Sequence, residues 1–179
     1  KWGENQGFHE RPSCRGRRLW YEIVLRLWPN IVWIKSINDR HLQARVPFDV
    51  FVDQRLYELT YDNPICMNIV LNCSITIMIK ELYGRVNLGE GALDTAVYEA
   101  NNMLVIDPSL LPKNDASKVE SNLSKRIILS VYDEIRQNDH LAIDDLVFDL
   151  LKLTPGERDA VYEAVIHLVE TRLKKAGSV

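Results

Sequence analysis

The residues in this chain best able to do chemistry are arginines and aromatics placed close together near its beginning. Arg15, Arg17 and Arg18 precede Trp20 and Tyr21, and Trp28, Trp33, Lys35, Arg40 and His41 follow. A guanidinium offers a rigid fork of donors to phosphate or guanine, and an aromatic face stacks on or supports an extruded base. The plainer reading is that about half of these aromatics are strand residues turned into a core. A second candidate is Gly89-Glu90-Gly91, flanked by Arg85 and Asn87. Gly89 and Gly91 permit a close backbone approach, and Arg85 and Asn87 carry donors suited to phosphates or base edges. The loop follows a helix and lacks a Lys-Ser/Thr pair, so it is not a nucleotide-phosphate loop. A tight turn packed on the core is its plainer reading.

Other chemistries have less support. His9, His41, His140 and His167 are scattered, and no Cys-x-x-Cys or His-Glu-x-x-His spacing occurs. No serine sits in a Gly-x-Ser-x-Gly elbow. Asp139, Asp144, Asp145 and Asp149 lack the calcium-loop pattern, and acids opening a helix suit its dipole. Cys66 and Cys73 read as buried core thiols. With Cys14 they make an odd, unpaired set, as expected of a reduced, cytoplasmic protein.

The net charge is −3, but it is unevenly spread. Residues 1–45 hold nine bases against four acids, a net of +5, whereas residues 91–179 hold ten against fifteen, a net of −5. The first segment suits a polyanion and the second does not. A solvated basic edge would give the same charge pattern. No apolar run reaches the roughly 18 residues of a membrane span; Ile65–Ile79 comes nearest and reads as a buried helix. The absence of an initiator methionine suggests a fragment of a longer protein.

These residues must be positioned by an α+β fold: a small antiparallel sheet in the N-terminal part, followed by a helical C-terminal part. Residues 1–18 read as irregular. Leu19–Leu25, Ile31–Ile34, Val50–Val52 and Leu56–Thr60 read as strands. Asn63-Pro64 opens a helix to about Tyr83, stopped by Gly84. Val119–Arg136 and Ile143–Leu151 have helical periods. Thr154-Pro155-Gly156-Glu157 is a capping box that opens a last helix ending at Gly177. Two regions are expected, 1–112 and a helical subdomain at 113–179 packed on it.

Taken together, these segments resemble one family. Arg11-Pro-Ser-Cys14 with Arg17-Arg18-Leu-Trp-Tyr-Glu22 resembles the opening of the target-recognition region of adenine-N6 DNA methyltransferases from restriction–modification systems. Ile34-Lys35 through Arg40-His41, Val50-Phe-Val-Asp53 and Leu56-Tyr57-Glu58 continue the likeness. Leu71-Asn-Cys-Ser74, Glu81-Leu-Tyr-Gly-Arg85 and Asn87-Leu-Gly-Glu-Gly-Ala-Leu93 are the most family-like segments. Asp145-Leu-Val-Phe-Asp149, Leu153-Thr-Pro-Gly-Glu-Arg158 and Val161-Tyr162 are similar to the tail of archaeal and bacterial members. The likeness runs in order over nearly the whole chain.

The resemblance implies sequence recognition on duplex DNA, serving methyl transfer from S-adenosylmethionine to adenine N6. The family's glycine-rich cofactor motif and its Asn/Asp-Pro-Pro-Tyr/Phe tetrapeptide are both missing; Asp62-Asn63-Pro64-Ile65 has one proline and opens a helix. The implied role is therefore recognition, with no catalytic residues, cofactor site or metal in this chain, and with catalysis in a linked or associated domain. Arg15, Arg17, Arg18, Lys35 and Arg40 would hold phosphates. Trp20, Tyr21, His41, Arg85, Asn87, Gly89 and Gly91 would complete the DNA-facing set. Two other readings remain: the specificity domain of a fused restriction–modification enzyme, and a non-catalytic protein-interaction or assembly module.

Overall fold

The chain opens with a single helical turn, α1 (Trp2–Asn5), and an arm that folds back on it. Trp2 meets Phe8 edge to face at 5.4 Å, and the Arg11 guanidinium lies over the Phe8 ring. The computed structural model describes residues 1–22, 28–86, 91–123 and 125–176. The strand expected at Leu19–Leu25 is a turn at its described end, Leu19 to Glu22, and the rest lies outside the described residues.

Strands β1 (Ile31–Ile34), β2 (Ser36–Ile37), β3 (Gln43–Arg45) and β4 (Leu56–Leu59) follow. β1 is central in an antiparallel three-stranded sheet, order β3-β1-β4, with Trp33 opposite both Gln43 and Tyr57. Val50–Val52 forms no strand. Both sides of β1 are already taken, and β4 starts only after a turn in which the Leu56 N–H donates to the Asp53 carbonyl.

The apolar stretch after Asn63 becomes two helices, α2 (Pro64–Asn72) and α3 (Ser74–Tyr83). Asn63 caps the first through its side-chain oxygen, and Pro64 sits where its missing N–H costs nothing. The break is at Cys73, whose backbone is extended, and the two axes differ by 65°. Tertiary partners cause it. The Ser74 N–H and hydroxyl both donate to Asp144, at 2.7 and 2.6 Å. The Asn72 side chain imitates a strand, accepting from the Gln43 N–H and donating to the Gln43 carbonyl, each at 2.9 Å. The sheet is thereby fastened to the helix end.

Beyond α3 come β5 (Leu93–Asp94), paired with β2, and α4 (Val97–Asn102). Gly84 lets β5 approach closely: a Cβ there would lie 2.8 Å from the Leu93 side chain. α5 (Lys113–Leu123), the short α6 (Val131–Glu134), α7 (Asn138–Leu151) and α8 (Pro155–Ala176) complete the chain. The helix expected over Val119–Arg136 is interrupted by Arg126. Its guanidinium donates to Glu134 and Asp139 at 2.7–2.8 Å, and the Leu129 N–H also binds Glu134, so this segment turns around the arginine. α8 starts as its capping box requires, with reciprocal bonds between Thr154 and Glu157.

The fold is thus α+β, with its sheet in the N-terminal part and helices toward the C-terminus. One core joins α2, α5 and α7 around Ile69, Val70, Leu123 and Ile143; a second joins α3 to α8 around Ile77, Val165 and Val169. Both cores cross residue 112, so the two expected regions share an interior. A third cluster, with Ile31, Trp33 and Leu71, seats the sheet on α2. No single helix among the described residues is long and apolar enough to cross a membrane; the bent α2–α3 pair has the length, and most of it is buried.

Asp144 is completely buried and holds the α2–α3 junction. Asp144→Ala should cost about 3–5 kcal/mol in urea unfolding, because it strands polar partners inside. A loss below about 1 kcal/mol would rule out this role.

Candidate nucleic-acid interface

Arg15, Arg17 and Arg18 are exposed along the N-terminal arm. Among the described residues none of the three has a carboxylate partner; Arg17 donates only to the Glu22 carbonyl, at 3.3 Å. The half-buried Trp20 ring packs over Gly3 and meets the exposed Tyr21 edge to face at 5.5 Å. The arm therefore presents guanidinium groups and one free aromatic face next to an anchored indole.

Lys35 and Arg40 lie near the sheet. Lys35 donates to the Gln54 carbonyl and sits 4.2 Å above the Tyr57 ring. Arg40 is exposed and lines a cleft of about 820 Å³ between the β2–β3 region and α5, with Gln43, Arg45, Glu120 and Ile127. Arg45 in that cleft is neutralised by Glu120, which accepts from it at 2.7 and 3.3 Å.

Two predicted residues are drawn away from the surface, and a third is held in an ion pair. His41 is only 7% exposed, and its Nε2 donates to Glu81 at 2.9 Å. Burial lowers its pKa more than the Glu81 hydrogen bond raises it, so it is neutral near pH 7. Gly91 is buried in a left-handed conformation against Leu173 and Ala176. The half-buried Arg85 is held by Glu99 at 2.5 Å and lies over Tyr98. His41 and Gly91 are thus corrected from DNA-facing to interior positions, and Arg85 to a paired one. Asn87 and Gly89 lie outside the described residues.

One side chain links the burial of His41 and Gly91. Arg172 on α8, 4% exposed, donates to both Glu81 oxygens at 2.8 Å, to the Asn38 carbonyl at 2.7 Å and to the Gly91 carbonyl. Burial would raise the Glu81 carboxyl, but His41 and Arg172 together hold it below its ordinary value. Beside it, burial lowers the Lys80 amine to about 7; its Nζ donates to the Ile34 carbonyl at 2.7 Å, near the Trp33 ring. By spacing, Arg172 reads as one more member of the α8 stripe. The available signal was Lys80-Glu81, a charged pair within an otherwise apolar helical run.

A Ser–His–acid arrangement is also present. Ser74 Oγ lies 3.1 Å from His140 Nε2, and His140 Nδ1 lies 3.6 Å from Glu134. Ser74 is completely buried, and its hydroxyl already donates to Asp144. Burial alone would lower the His140 pKa, but Asp144 and Glu134 raise it to about 9, so it carries its proton at neutral pH and is no general base. The four aspartates considered for a metal have other partners: Asp139 binds Arg126, Asp144 binds Ser74, and Asp145 and Asp149 bind Arg158. Among the described residues no group of three or more His, Cys, Asp or Glu side chains is placed to hold a metal ion. Comparison with protein-family models, curated proteins and solved structures finds no match.

Two outcomes follow from these buried charges. Arg172→Leu should cost about 3–5 kcal/mol in chemical unfolding by leaving Glu81 without its cation, and Glu81→Leu in the same chain should recover part of that loss. Additive losses would show that the two are not coupled. The folded pKa of His140 lies above its unfolded value near 6.5. Its stabilisation is therefore complete below about pH 6.5 and lost as pH rises through about 9. The stability difference between the protein and His140→Gln should shrink by about 3 kcal/mol across that window. A difference independent of pH would mean that His140 is neutral.

Proposed function

We propose that this chain is the duplex-DNA-binding, sequence-recognising part of an S-adenosylmethionine-dependent adenine-N6 DNA methyltransferase of a restriction–modification system, acting in the cytoplasm. The observation that carries the reading is where unpaired positive charge remains. Arg45, Arg85, Arg126, Arg158 and Arg172 are bound to carboxylates. Arg15, Arg17, Arg18 and Arg40 are exposed and have no carboxylate partner among the described residues. Displacing counterions from phosphates requires cations of that kind. The ordered resemblance supplies the enzyme class.

S-adenosylmethionine belongs, in this reading, to a catalytic domain linked to or associated with this one. The glycine loop does not fit it: at its described end Gly91 is covered by Leu173 and Ala176, and its carbonyl is taken by Arg172. No step of methyl transfer is assigned to this chain. Arg15, Arg17, Arg18 and Arg40 would hold the duplex backbone, with Tyr21 beside them. A fused nuclease would leave this role unchanged. The protein-interaction reading draws on Trp28 and Phe51, exposed and edge to face at 5.5 Å, with the exposed Phe48 nearby in sequence.

Arg17→Ala combined with Arg18→Ala should weaken binding of the intact enzyme to short duplexes. It should also reduce the slope of log affinity against log salt by about 2, one unit for each lost phosphate contact. Unchanged affinity with an unchanged slope would remove these arginines from the interface.

A further inference from the structure

Two concavities meet beside β4. One, of about 610 Å³, is mainly apolar and is lined by Trp33, Leu56, Tyr57, Leu71, Val97 and Val105 among others. The other, of about 400 Å³, is polar, with Lys35, Ser36, Arg55, Asp94 and Thr95 in its walls. Gln54, Tyr57 and Val97 line both, which makes them one cleft with an aromatic part and a cationic end. The size of each part suits a small organic ligand.

The polar end has unused donors. Lys35 has N–H groups to spare beyond its bond to the Gln54 carbonyl. Arg55 is exposed and has no carboxylate partner among the described residues. Thr95 is completely buried, yet its hydroxyl has no hydrogen-bond partner among the described residues. The indole N–H of Trp33, a residue 5% exposed, is likewise unpaired. Buried polar groups are rarely left so in a folded protein, and a bound ligand is one of the few things that satisfies them. The carboxylate at this end, Asp94, already accepts from the Ser36 hydroxyl at 2.6 Å. Asp53 and Glu58 line the apolar part.

We propose that this cleft binds one nucleoside 5′-phosphate unit. Its base lies in the apolar part against Trp33 and Tyr57, and its phosphate meets Lys35, Arg55 and the Thr95 hydroxyl. Aromatic walls accept any base face, and two cations with a hydroxyl suit a phosphate. The unit is either a free nucleotide or an unpaired residue of a strand. The second case rests on the DNA-binding reading above; the first does not.

The test is calorimetric titration of the chain with dAMP and with deoxyadenosine, together with the NMR shift of the Trp33 indole N–H. dAMP should bind saturably and about tenfold more tightly than deoxyadenosine. Lys35→Met combined with Arg55→Met should bring dAMP down to the nucleoside level. Thr95→Val, nearly isosteric and losing no protein hydrogen bond, should keep the melting temperature while weakening dAMP several-fold. Absence of saturable dAMP binding would overturn the proposal. So would equal binding of dAMP and deoxyadenosine, the result expected of an apolar protein-docking groove, or a double variant that binds dAMP unchanged. A duplex with one unpaired adenine, compared with its fully paired counterpart, separates the sources. A preference for the unpaired site that depends on Lys35 and Arg55 assigns the unit to a strand, whereas dAMP binding without that preference assigns it to a free nucleotide. The dAMP arm contains no duplex, so loss of duplex binding in the Arg17 and Arg18 variant leaves it standing.

Discussion

A guanidinium buried in a protein interior is tolerated only when nearly every donor has an acceptor. Arg172 meets that condition by gathering groups from three parts of the chain: the Glu81 carboxylate on α3 and the carbonyls of Asn38 and Gly91. The last helix is thereby tied to the loop between β2 and β3 and to the end of the glycine loop. His41 is drawn in as a neutral donor to the same carboxylate. The surface left for a ligand is defined partly by what this cluster has taken inside.

The same pattern recurs at the other end of the helical layer. Arg126 organises the turn before α6, and Glu134, held down to about 2 by Arg126 and His140 against the opposing effect of burial, passes the connection to α7. Asp144 then fixes the α2–α3 corner through Ser74. Carboxylates outnumber bases in the C-terminal half; Glu120 and Glu99 hold Arg45 and Arg85 from earlier in the chain, while Glu134, Asp139, Asp145 and Asp149 hold Arg126 and Arg158 of that half. The N-terminal arm has no such partners among the described residues, so its arginines face solvent. The polarity of the surface thus follows from how the interior is charge-balanced.

The broad design was legible in local pattern. Ile31–Ile34 and Leu56–Leu59 carry strand composition, Asn63-Pro64 and Thr154 through Glu157 announce helix starts, and Gly84 marks a helix end. The misreadings share one cause. The run after Asn63 has no internal breaker, yet it bends at Cys73 because Asp144, far along the chain, offers better partners to Ser74 than another helical turn would. Val119–Arg136 has a helical period, yet two carboxylates pull Arg126 out of it. Of the candidate site, Arg15, Arg17, Arg18 and Arg40 were legible as members of a basic segment, whereas their lack of carboxylate partners among the described residues and the burial of His41 and Gly91 were not.

The sequence by itself determined the class of fold, the caps and the uneven distribution of charge, because these depend on residues within a turn or two of one another. Only the tertiary structure decided which charges are spent and which remain. That choice depends on contacts such as Arg172 with Glu81 and Arg45 with Glu120, between residues far apart in the chain, whose strength comes from exclusion of water. No local spacing encodes that exclusion. The hydroxyl of Thr95, without a hydrogen-bond partner among the described residues and lining one cleft with Lys35 and Arg55, became visible only once the fold had brought those segments together.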